Sequence, residues 1–113
     1  MGARGEGTIK AGDRETHLLY TNRALADAEA VMGKSVMGAI NGGYEAMGIT
    51  DLVTLLRAGM EAARRDTGEA GRVTMADAYD VMDAVGLAGV YTVVIRAVSD
   101  VISYVPNGAD PNG

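Results

Sequence analysis

The stretch ITDLVTLLRAGMEAARRDTG, residues 49–68, decides the fold class. Leu52, Val53, Leu55, Leu56 and Met60 recur at the spacing of one helix face and make a broad apolar stripe. Thr50 is the expected N-cap. Asp51 puts a negative charge in the first turn, and Arg64 and Arg65 put positive charge in the last turn before Gly68. Both ends carry the sign that the helix dipole favours.

Upstream, the chain reads as two shorter helices joined by an elbow. Asn22 is the expected cap of the first, with Leu25, Ala28, Val31 and Met32 on one face. Met32-Gly33-Lys34-Ser35 looks like the last half of a phosphate-binding loop. That loop needs a glycine five residues before Gly33 and a strand running into it. Ala28 stands at that position, and helical periodicity precedes it. Gly33 is therefore expected to end one helix and Ser35 to cap the next, which carries Val36, Met37 and Ile40 and breaks at Asn41-Gly42-Gly43. Before these, residues 5–20 alternate as a β-hairpin turning at Gly12-Asp13. Thr16, Leu18 and Tyr20 lie on one face, His17 and Leu19 on the other.

Downstream of the polar loop DTGEAGR, Thr74 caps a helix with Asp77 at the capping-box position. Ala78, Val81, Met82 and Val85 line its inner face, and Gly86 is its stop. The last helix, about 87–105, is apolar nearly all round, with Arg96 and Asp100 as its only charges. Such a helix is either central to a core or covered by another molecule. Charges at mid-span cost roughly 2.5–3.5 kcal/mol each in a bilayer, so protein is the expected cover, not lipid. The expected architecture is mainly α: an N-terminal β-hairpin followed by a bundle of four to five short helices. Residues 1–105 form a single small domain, with a polar tail over 106–113.

Several kinds of chemistry lack the residues they need. The 113-residue chain has no cysteine and one histidine, His17, which rules out thiolate and two-histidine metal sites. Ser35, Ser99 and Ser103 lie in no nucleophile-elbow context. Asp77, Asp80 and Asp83 trace a solvated stripe, and DAYDVMDAVG lacks the alternating ligands and sixth-position glycine of a calcium loop. A formal net charge of −5 leaves no basic surplus for nucleic acid, and Arg57, Arg64, Arg65 and Arg72 have no interleaved aromatics. MGARGEG has neither a secretory signal pattern nor a myristoylation pattern. No catalytic, cofactor-binding or metal-binding residue is expected.

Three segments together resemble a family. TNRALADAEAVMGKSV, ITDLVTLLRAGMEAA and VTMADAYDVMDAVGL, placed after a hairpin and before an apolar helix, resemble the small tail assembly chaperones of tailed bacteriophages and gene transfer agents. A related group in gene transfer agents is labelled tail tube protein. The resemblance covers roughly residues 5 to 103. Family members commonly place an aromatic residue in the third helix, where this chain has Leu, Val and Met.

The resemblance implies a non-catalytic protein of the host cytoplasm during virion assembly, absent from the finished particle. It implies binding to the tape measure protein, help in recruiting tail tube subunits, and self-association as a homo-oligomer. The apolar last helix supplies the expected contact residues Val90, Tyr91, Val94, Ile95, Val98, Val101 and Ile102. Met32, Met37, Met47, Met60, Met75 and Met82 add adaptable surface. A structural virion component, such as a tail tube or head–tail connector subunit, is the alternative.

Overall fold

The computed structural model describes residues 2–106, apart from the side chain of Tyr44. The order is β1 (Gly5–Ala11), β2 (Arg14–Tyr20), α1 (Asn22–Met32), α2 (Val36–Asn41), a 3-10 turn (Gly43–Glu45), α3 (Ile49–Thr67), α4 (Met75–Val85) and α5 (Leu87–Ile102). This is the mainly α architecture with an N-terminal hairpin that the sequence predicts. The tail expected over 106–113 lies, beyond Pro106, outside the described residues.

The strands pair antiparallel around Gly12 (φ 64°), with Gly5 opposite Tyr20, Gly7 opposite Leu18 and Ile9 opposite Thr16. One face therefore combines large residues on β2 with glycines on β1. A Cβ on Gly5 would collide with the Ala97 carbonyl, and one on Gly7 would stand 2.8 Å from a Val93 methyl. The glycines let α5 lie directly against β1. Leu18 and Tyr20 bury on the same face, while Leu19, on the other, is covered as well. The end of β2 is thus enclosed on both sides.

α3 is buried all round over its N-terminal half. Every residue from Asp51 to Leu56 is below 9% exposed, and six consecutive helical positions span the whole circumference. β2, α1, α4 and α5 all pack on it. Its cap is Gly48, whose N–H donates to Asp51 Oδ2 at 3.2 Å, and not the expected Thr50, which lies within the helix. A shift in the same direction, by one residue where α3 shifts by two, occurs at α1. Thr21 is the cap and accepts from the Ala24 N–H at 3.1 Å, whereas Asn22 is the first helical residue. The buried face of α1 is Ala24, Leu25 and Ala28, and Val31 points to solvent at 63% exposure.

The other boundaries fall where expected. Ser35 Oγ accepts from the Gly38 N–H, and Thr74 and Asp77 form a reciprocal capping box. Gly33 (φ 72°) and Gly68 (φ 79°) end α1 and α3 in the left-handed region. The exception is α5, which ends at Ile102, three residues short of the expected 105; Ser103 is its C-cap, and the Tyr104 N–H turns in to the Val101 carbonyl at 3.3 Å.

Candidate functional site

α5 is apolar nearly all round in sequence, but the fold buries only one face of it. Val90, Val94, Ala97, Val98 and Val101 are at most 4% exposed and pack in the core. Of the seven expected contact residues, Val90, Val94 and Val98 are thus interior, and Val101, though buried, lines a surface cleft. Tyr91 and Ile95 are half-buried against that core, and Ile102 is exposed. The methionines divide similarly. Met47 and Met82 are core, Met32, Met60 and Met75 are half-buried, and Met37 is 56% exposed.

Met37 and Ile102 both line a largely apolar opening on the surface. Two clefts share them as lining. One, of about 320 Å³, runs between α1 and the end of α5 over Leu25, Ala26, Val36 and Val101, with Asn22 and Glu29 as its polar members. The other, of about 210 Å³, continues past Ile40 and Asn41 to Ser99 and Ser103. Together they form a groove whose walls are α1, α2 and the last turn of α5. Tyr104 and Val105, just beyond that turn, are also exposed.

The GKS elbow positions this groove. Gly33 donates its N–H to the Glu29 carbonyl at 2.8 Å, and Ser35 caps α2. Glu29 reaches across the bend, its Oε2 accepting from the Val36 N–H at 2.8 Å. Lys34 Nζ donates to Asp51 Oδ2 at 2.9 Å, tying the elbow to the first turn of α3. Helix α1 occupies the place where a phosphate loop would need its strand and first glycine. The residues that looked like nucleotide chemistry hold α2 as a wall.

At the far end of α3, Glu61 organises the loop before α4. Its carboxylate accepts from Arg64 Nε and Nη2 at 2.9 and 2.7 Å and from the Val73 N–H at 2.9 Å. These bonds, Arg64 first, hold its pKa at about 2, below the ordinary 4.5, and the same pairing raises that of Arg64. Arg64 Nη1 also donates to the Glu69 carbonyl at 2.5 Å, and Arg57 reaches the Val73 carbonyl. Arg65 pairs with Asp27 and Glu61. The arginines singled out in sequence are thus mostly engaged in holding α3, α1 and the loop together.

His17 is exposed and lies 3.4 Å from Thr8 Oγ1, its cross-strand neighbour. Asp80 and Asp83 are exposed, and Asp77 is used in its cap. No group of three His, Cys, Asp or Glu residues able to hold a metal occurs among the described residues. Among the described residues no single helix is long and apolar enough to cross a membrane; α4 and α5 have that length and composition only as a pair, bent by 114°.

No family model matches the chain, and no curated protein and no solved structure matches it. Fold and site together define a mainly α protein with an N-terminal hairpin and an open apolar groove between helices. The groove is not legible in the sequence because its walls, α1, α2 and the end of α5, come from segments far apart in the chain. Met37 carried the available signal: a large apolar residue on a helix of six residues, too short to bury its whole circumference.

Proposed function

We propose that the protein is a phage-type tail assembly chaperone. It binds the tape measure protein, keeps it soluble and helps recruit tail tube subunits, without catalysis. The observation that carries the reading is the apolar groove flanked by Met37 and Ile102. A chaperone for a long helical client needs an apolar helix-binding surface kept open on a folded body. Methionine and isoleucine on its rim suit a client whose segments vary in shape. The resemblance adds weight, because the segment TNRALADAEAVMGKSV supplies the α1 wall of this groove and Val36 at the start of α2. On this reading the protein works in the host cytoplasm during assembly, self-associates, and is left out of the finished particle.

Co-expression with a tape measure fragment tests it. The expected result is a rise in the soluble fraction of that fragment. No rise, with this chain well folded, contradicts the proposal.

One observation favours a second reading, a structural virion component. Tyr79 and Leu87 are exposed apolar residues outside the groove, as a subunit with neighbours on two sides requires. Mass spectrometry of purified particles separates the two: the chaperone reading expects the chain to be absent.

A further inference from the structure

We propose that the groove takes one amphipathic α-helix that carries a lysine or arginine beside its apolar stripe. This rests on the client-binding reading and names the chemistry of the segment bound. The lining sets the apolar part, since Met37 and Ile102 project from opposite walls over Leu25, Val36 and Val101.

The walls set the conformation of the occupant. All three are helices, whose backbone groups are bonded along their own axes, and neither strand lines the groove. An extended segment would find no ladder there and would bury its own N–H and C=O groups unpaired. A helix brings its backbone bonds with it.

Charge sets the flank. Glu29 is the one ionisable side chain lining either cleft. Val36 holds its Oε2, and no hydrogen bond from a described residue reaches its Oε1. The last turn of α5 contains no base, although a helix C-terminus favours one. A single carboxylate set in an otherwise apolar groove favours a cation on the helix that fills it.

The test uses a labelled helical peptide of about fourteen residues, four turns, with leucines at i, i+3, i+4 and i+7. It is made in a lysine-flanked and a glutamate-flanked version and titrated with the full chain by fluorescence anisotropy at low salt. The lysine version is expected to bind about two- to fivefold more tightly. That preference disappears in Glu29→Gln, which keeps an acceptor for the Val36 N–H. Met37→Asp abolishes binding of both versions with the circular dichroism spectrum unchanged, while Tyr79→Asp on α4 leaves both affinities as they were. Equal affinities in the wild type, or a lysine preference that survives Glu29→Gln, overturns the proposal. So does a chain that binds neither peptide and shows by sedimentation a dimer that Met37→Asp dissociates, because the occupant is then a second copy. The client reading fails on a different result, a tape measure fragment that stays insoluble, so the two failures are distinguishable.

Discussion

The Tyr20 ring lies on Gly59, and its hydroxyl donates to the Leu55 carbonyl at 2.7 Å, so strand β2 is keyed into a notch on helix α3. Tyr20 is fully buried, and that burial raises its phenol pKa well above the ordinary 10. The notch exists because Gly59 has no side chain. A Cβ there would stand 2.5 Å from the ring's Cζ and 2.6 Å from its oxygen.

Gly59→Ala is therefore expected to destabilise the protein, although alanine in a helix interior is normally about 1 kcal/mol better than glycine. Overpacking of this kind costs about 1–3 kcal/mol, seen as a lower urea midpoint. Tyr20→Phe removes the hydroxyl and is expected to cost about 0.5–1.5 kcal/mol. Equal or greater stability of Gly59→Ala would show that the ring is free to move aside.

That notch marks the limit of what the sequence makes legible. Helix boundaries are local, so Ser35, Thr74, Gly33 and Gly68 announce themselves by residue type. Caps shift by one residue where two polar residues adjoin, as at Thr21-Asn22, since either side chain suits the position. Gly5, Gly7 and Gly59 serve close approach of distant elements, and nothing in their neighbours reveals that. The apolar pattern of α5 was misleading for the same reason. Periodicity shows that a residue is apolar, but partners far along the chain decide which face they cover.

The division of α5 can be tested directly. Val94→Asp buries an unpaired carboxylate in the core and is expected to cost about 3–5 kcal/mol, with loss of the helical circular dichroism signal. Ile102→Asp, on the groove, is expected to keep the fold and its thermal midpoint nearly unchanged. A folded Val94→Asp variant would place that residue on an outer face instead.

At the elbow, Lys34 is half-exposed while Asp51 is buried, and the two substitutions are expected to be unequal. Lys34→Ala removes one part-exposed ion pair and costs about 0.5 kcal/mol. Asp51→Ala also removes the acceptor for the Gly48 N–H at the start of α3, adding about 1 kcal/mol. Chemical denaturation of both variants measures the difference.

Glu61 predicts how stability changes in acid. Its folded pKa of about 2 lies below the ordinary 4.5, so its contribution is fully present above about pH 4.5. The contribution is lost as pH falls towards 2, when the carboxylate protonates and releases Arg64 and the Val73 N–H. Arg64 stays charged throughout this window, since its own pKa is raised. The wild type should therefore exceed Glu61→Gln in urea midpoint at pH 6, with the gap narrowing steadily below pH 4. A constant gap from pH 6 to pH 2.5 would contradict this assignment.

The most direct test of the central claim is the soluble yield of a tape measure fragment co-expressed with the wild type, with Met37→Asp or with Ile102→Asp. A groove that binds the client predicts high soluble yield with the wild type and a return to the fragment-alone level with either variant, both remaining folded. Equal soluble yield from all three proteins would contradict it.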